Sequence, residues 1–177
     1  MISTLAVFCG SKSGSDPLYT LQAEQLGQLL AEKNITLIYG GGSKGIMGAL
    51  ADAMMLKNGT VVGIIPKKLI EWEHQHEGIS NLIVVDDMHT RKKKMYESCD
   101  AAMILPGGFG TLDELFEMLT WNQLAIHNKQ IFILNAGGFY DHLIKHMQHL
   151  GKTGFLYDLL EERVHILEDP QQLLAYL

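Results

Sequence analysis

Seven short apolar runs recur along the chain, and their length and spacing restrict what it can fold into more than any other feature. They are Leu5–Cys9, Leu37–Tyr39, Val61–Ile65, Leu82–Val85, Ala101–Leu105, Ile131–Leu134 and Val164–Leu167. Runs this short and this continuously apolar read as parallel strands covered on both faces. Between them, Leu18, Leu21, Leu26, Leu29 and Leu30 recur at helical spacing, as do Leu112, Leu115, Phe116, Leu119 and Leu124. Strands alternating with helices require right-handed crossovers and a parallel sheet. The expected fold class is therefore α/β: a Rossmann-like, doubly wound, mostly parallel sheet of about seven strands with helices on both faces.

The 177 residues suit one domain spanning 1–177, with no repeat or low-complexity linker to divide them. A chain of this size buries roughly 70% of its unfolded surface and needs no disulfide. Only Cys9 and Cys99 are present, without a CxxC pair, which points to a reducing cytosol and to buried thiols. The stretch Met1–Gly10 lacks the pattern of a leader, and no apolar run approaches the ~20 residues of a membrane span. Neither secretion nor a membrane is expected. The net charge of −6 argues against nucleic acid as a partner, so an anionic ligand has to meet a local positive site. At the far end, Asp169 and Pro170 announce a final helix reaching Leu177. The Lys-, Glu- and His-rich connection from Pro66 to Gly78 reads equally as a lid or as a solvated loop.

Ligands of such sheets bind beyond the carboxyl ends of the strands, and glycines collect there: Gly10, Gly40 to Gly42, Gly107 to Gly110, and Gly137 with Gly138. Gly40–Gly45 fits GxGxxG, but the acidic residue expected about 20 positions later is missing, since that region reads Val61-Val62-Gly63-Ile64-Ile65. No GxxxxGK[ST] is present either. Pro106-Gly107-Gly108-Phe109-Gly110-Thr111 is the stronger candidate, because its amides can converge on an anion at the positive end of the next helix. Thr111 is expected to cap that helix, with Glu114 closing a capping box. Against a purely capping role stands the crowding of Asp113, Glu114 and Glu117 at a helix start suited to anions. Glu114 lies one helical turn, about 4.5 Å, beyond Thr111 and could face the sugar of a ligand whose phosphate sits on the loop.

The basic run Arg91-Lys92-Lys93-Lys94 reads either as a solvated helix face or as a pair, Arg91 and Lys92, reaching the pocket edge. His142, His146 and His149 share a helical face without an acidic partner, so no metal is expected there. Trp121, Leu124 and Ile126 read as core or subunit interface.

PGGFGTLDE at 106–114, GGGSKGIMG at 40–48 and Met88-His89-Thr90-Arg91-Lys92 leading to Met95 together resemble the LOG family of phosphoribohydrolases, which have often carried the label lysine decarboxylase. The resemblance spans nearly the whole chain. It implies cleavage of nucleoside 5′-monophosphates into free base and ribose 5-phosphate without a cofactor, in a homodimer whose site lies close to the subunit boundary. By position it makes Arg91 and Glu114 the catalytic pair and gives the phosphate to Gly107, Gly108, Phe109, Gly110 and Thr111. It adds Gly10, Ser11, Gly41, Gly42, Glu73, Lys92 and Thr120 as substrate contacts. The alternative is a nucleotide carrier or sensor that keeps fold and loop without turnover. Lysine decarboxylation normally uses pyridoxal phosphate on a lysine, and no distinctive lysine site is legible.

Overall fold

The computed structural model describes residues 1–157 and 162–177, with the side chains of residues 71–73 outside the description. Strand and helix alternate as the apolar pattern predicts. The strands are β1 (Thr4–Phe8), β2 (Thr36–Tyr39), β3 (Val61–Pro66), β4 (Asn81–Val85), β5 (Ala101–Ile104), β6 (Ile131–Leu134) and β7 (Val164–Leu167). The helices are α1 (Pro17–Glu32), α2 (Gly45–Leu56), α3 (Lys67–Glu73), α4 (Met88–Glu97), α5 (Phe109–Gln123) and α6 (Asp141–Lys152). Every strand pair is parallel, and the sheet runs β4-β3-β2-β1-β5-β6-β7.

That order explains the two layers. Right-handed crossovers put helices on one face while the sheet grows from β1 toward β4, and on the other face once growth reverses at β5. On the first face α1 and α2 pack over Leu5, Val7, Leu37, Tyr39 and Met103. The second buries Ala6, Phe8, Ile38, Ile104 and Ile133 under Met95, Tyr96, Leu115, Met118 and Met147. Successive residues of one strand thus serve opposite cores, and each fully buried Leu, Ile or Phe contributes about 1.5–3 kcal/mol. α1 approaches α2 closely at Gly27, where a Cβ would stand 2.6 Å from the carbonyl of Leu50.

Two connections differ from expectation. Lys67 to Glu73 is helical, so only the second half of the Pro66–Gly78 connection is a loop. The last element, Pro170–Tyr176, is a 3-10 helix, though its start follows the sequence signals: Asp169 accepts from Gln171, Pro170 opens the turn, and Gln172 completes a capping box. Both cysteines are buried thiols outside any disulfide. Among the described residues no helix is long and apolar enough to cross a membrane.

Asp100 ties the entrance of β5 to that of β1. Its carboxylate accepts from the Ser3 hydroxyl at 2.7 Å, the Ser3 amide at 2.8 Å and the Thr4 amide at 2.9 Å. The Ser3 hydrogen bonds, side chain first, hold its pKa at about 2, below the ordinary carboxylate value. A depressed folded-state pKa stabilises above the unfolded value and the benefit disappears as pH falls through the folded one. Wild type is therefore expected to lose denaturation midpoint between about pH 4 and pH 2 more steeply than Asp100→Asn, and parallel acid profiles would remove Asp100 as the titrating group.

Candidate active site

The reversal of strand order opens a crevice. β1 and β5 are neighbours, yet the chain leaves β1 toward β2 and leaves β5 toward β6, so the loops that follow diverge at the carboxyl edge. At its floor the loops touch: the Gly10 amide donates to the Pro106 carbonyl at 3.0 Å, and a Cβ on Gly10 would lie 3.4 Å from the Gly107 Cα. A cleft of about 540 Å³ sits above this contact. Its walls include Gly10, Ser11, Lys12, Gly107 to Thr111, Arg91, Glu114, Met88, Tyr19 and Phe139.

α5 begins earlier than its sequence suggests. Its N-cap is Gly108, no side chain caps it, and Thr111 lies in the first turn, buried. The expected capping box of Thr111 and Glu114 is therefore not formed. The physical reason is the glycine turn, which already reaches helical geometry at Phe109 and leaves the first amides without a side-chain acceptor. Gly107 is required by packing, since any Cβ there would collide with the Thr111 side chain. Gly108 and Gly110 differ: a Cβ on either would meet no protein atom within 4 Å. Their small size keeps the helix entrance open to the cleft, where amides and macrodipole favour an anion.

Arg91 and Glu114 reach the same cleft from α4 and α5. Arg91 is 4% exposed; its Nε donates to the Ile64 carbonyl and its Nη2 to the Gly40 carbonyl, both at 3.0 Å. The guanidinium is thus seated on backbone at the ends of β3 and β2. Any side chain at position 40 would collide with it, which explains Gly40. Glu114 is 8% exposed, on the inner face of α5 with Thr111 and Leu115.

Lys92 takes the opposite course. It follows Arg91 by one residue, so its side chain turns about 100° around the helix and meets α5 outside the cleft. Its ammonium lies 2.7 Å from Glu117 and 3.0 Å from Asp113, and Tyr96 donates to Glu117 at 2.9 Å. Burial disfavours the charge, but the bonds to Glu117 and then Asp113 outweigh it and raise the pKa of Lys92. This clamp resolves the crowding of carboxylates near an anion site: Asp113 and Glu117 share the Lys92 ammonium outside the cleft, which offsets one of their two charges, and Glu114 alone of the three faces the cleft.

Several expected contacts lie elsewhere. Lys92 does not line the cleft, for the reason just given. Thr120 donates its hydroxyl to the Phe116 carbonyl at 2.7 Å and borders a separate apolar groove of about 170 Å³ with Leu119, Met147 and Val164. Gly41 and Gly42 shape the turn after β2 rather than the cleft wall: Gly41 adopts φ +79°, and Gly42 bridges to Gln75. Glu73 ends α3, and its side chain is outside the described residues. The predicted apolar stripe of α5 is rotated, because Thr111, Glu114 and Asn122 turn inward with Leu115 and Met118. Phe116 and Leu124 are left exposed.

Residues 47–177 match a family model described as "Possible lysine decarboxylase". A cytokinin riboside 5′-monophosphate phosphoribohydrolase of Arabidopsis thaliana is 42% identical over 98% of this chain and 81% of its own. One from Rhodococcoides fascians is 40% identical over 97% of this chain and 87% of its own. The chain belongs to the LOG family. The molybdenum cofactor carrier protein of Chlamydomonas reinhardtii superposes with a TM-score of 0.77 over 99% of this chain and 96% of that one. At 19% identity that likeness is one of fold alone.

In this LOG-family protein the motif reading missed Lys12, Tyr19 and Phe139 as cleft residues, and it gave no site role to Met88, which lines the cleft although it opens the Arg91 motif. The one available signal was position, since Lys12 lies two residues after Gly10 in the loop that leaves the first strand. The clamp has a measurable weight. Lys92→Met leaves the carboxylates of Asp113 and Glu117 without their cation and is expected to cost about 1–3 kcal/mol, seen as a lower urea midpoint at constant slope. Adding Glu117→Gln should recover part of that loss, and a Lys92→Met midpoint equal to wild type would count against the clamp.

Proposed function

We propose that this protein hydrolyses the N-glycosidic bond of nucleoside 5′-monophosphates, releasing free base and ribose 5-phosphate. The observation that carries this reading is the uncapped entrance of α5, with Glu114 buried on the same cleft wall and Arg91 beside it. Phosphate held by the amides from Gly107 to Thr111 fixes the ribose, which removes much of the entropic part of the barrier. Glu114, about one turn further in, stabilises positive charge at the anomeric carbon and orients the attacking water. Water adds its hydroxyl to that carbon, the bond to the base nitrogen breaks with its electron pair, and a proton ends on the base. Arg91 sits where a fixed cation offsets the charge that builds on the departing base.

Decarboxylation fits less well. It calls for pyridoxal phosphate on a lysine, and among the described cleft residues the lysine is Lys12, exposed on a loop rather than desolvated into a reactive amine. The residues present do not fit that group. A homodimer accords with Phe116 on α5 and with Leu124 and Ile126 just after it, apolar yet 39%, 61% and 61% exposed. Buried cysteines that form no disulfide accord with a cytoplasmic setting.

Incubation with AMP, GMP, CMP and isopentenyl-AMP, followed by chromatography, is expected to yield free base from at least one. Glu114→Gln should lower the rate by about 10² to 10⁴-fold while leaving far-UV circular dichroism unchanged. Undiminished turnover would take Glu114 out of the mechanism, and nucleotide binding without any release of base would favour a carrier.

A further inference from the structure

A nucleoside monophosphate brings a phosphate with a charge of roughly −1.5 to −2 to a chain that is itself at −6. The amide entrance of α5 offers the equivalent of about half a positive charge, so side chains have to meet the rest. Of the basic run on α4, Lys94 is exposed and does not line the cleft, and the other three are engaged by protein groups. Arg91 is seated on the carbonyls of Ile64 and Gly40, Lys92 is bound by Asp113 and Glu117, and Lys93 lies 3.8 Å from Glu97 on the same helix. Lys44, beside the cleft loop, lies 3.4 Å from the His74 ring.

Lys12 stands apart from all of these. Apart from Arg91 it is the one cationic residue among the described cleft walls, and its ammonium has no ion pair or hydrogen bond with a described residue. Its backbone, in contrast, is closely held. The Lys12 carbonyl would lie 3.0 Å from a Cβ on Gly10, and its amide 2.5 Å from one on Gly45, which adopts φ +60°. Gly10 in turn touches the phosphate turn through Pro106 and Gly107. A fixed backbone beside the entrance of α5 and a flexible four-carbon stem ending in an unengaged charge suit capture of an anion arriving from solvent.

We infer that Lys12 closes onto the phosphate held at the entrance of α5 and makes the cleft select phosphorylated substrates. The inference rests on the phosphoribohydrolase reading for its substrate, but it concerns binding rather than the reacting bond. Lys12 is a specificity residue, remote from the anomeric carbon, so its contribution falls on ground state and transition state alike.

The test compares wild type, Lys12→Met and Lys12→Arg in two assays. Calorimetry with ribose 5-phosphate reads phosphate capture without turnover, and kinetics with AMP separate KM from kcat. Lys12→Met is expected to weaken ribose 5-phosphate and raise the KM for AMP by a similar factor, about tenfold to a hundredfold, as loss of a charge-assisted hydrogen bond implies. kcat should change far less, and Lys12→Arg should restore most of both. Wild-type affinity for ribose 5-phosphate should also fall more steeply with added salt than that of Lys12→Met. Equal ribose 5-phosphate affinity in wild type and Lys12→Met overturns the inference whether or not AMP is cleaved. Absence of ribose 5-phosphate binding in wild type overturns it together with the phosphate site. Ribose 5-phosphate binding that depends on Lys12, without base release from AMP, upholds Lys12 and sinks the hydrolase reading alone.

Discussion

A parallel sheet that grows outward from its first strand in one direction, and then in the other, leaves one place where two neighbouring strands send their loops apart. Here that place lies between β1 and β5, and the hydrogen bond from the Gly10 amide to the Pro106 carbonyl closes its floor. Everything proposed for this protein sits above that contact. The phosphate turn, the entrance of α5 and the Lys12 loop are neighbours because the two strands are. α4, which crosses from the edge strand β4 back to β5, delivers Arg91 to the same crevice on the face it shares with α5.

Glycine serves two separate purposes around this floor. At Gly10, Gly40, Gly45 and Gly107 a side chain would run into atoms already in place: the Lys12 carbonyl, the Arg91 guanidinium, the Ser11–Lys12 backbone and Thr111. These positions let main chains and one charged group pack at distances that leave little or no room for a Cβ. At Gly108 and Gly110 the surrounding protein imposes no such demand. Their smallness is therefore turned toward the cleft, and that asymmetry separates the glycines that build the site from those that leave it accessible.

Charge is sorted by helix geometry. Arg91 and Lys92 are adjacent in sequence, as are Asp113 and Glu114, but successive residues diverge by about 100° around a helix. One member of each pair enters the cleft, and the other joins the Lys92–Asp113–Glu117 clamp, with Tyr96 packed edge-on against Trp121 behind it. The clamp holds α4 to α5 and keeps unneeded carboxylates away from a site for anions. A sequence that looks hostile to phosphate, with three acids in five positions, thereby presents one.

Much of this was legible without coordinates. Strand existence follows from continuous apolar runs, and all seven appear where those runs lie, with bounds shifted by no more than a residue or so. The glycine turn, Arg91 and Glu114 stood out as motif, and they meet in one cleft. The start of α5 was misjudged because Thr111 has the chemistry of a cap, while the glycines before it have the freedom to begin the helix sooner. Lys92 and Thr120 were placed in the site by resemblance, and each is instead engaged by partners on or beside α5.

The division has a physical origin. Hydrophobic period and glycine content are local properties, so the chain by itself determined its alternating elements, its parallel sheet and the loops that gather ligands. Which charges would neutralise one another, and which would stay open toward a ligand, depends on angles around two helices and on contacts between segments far apart in the chain. Only the assembled sheet decided that Lys92 would be claimed by carboxylates, that Arg91 would rest on carbonyls, and that Lys12 would face the cleft unclaimed.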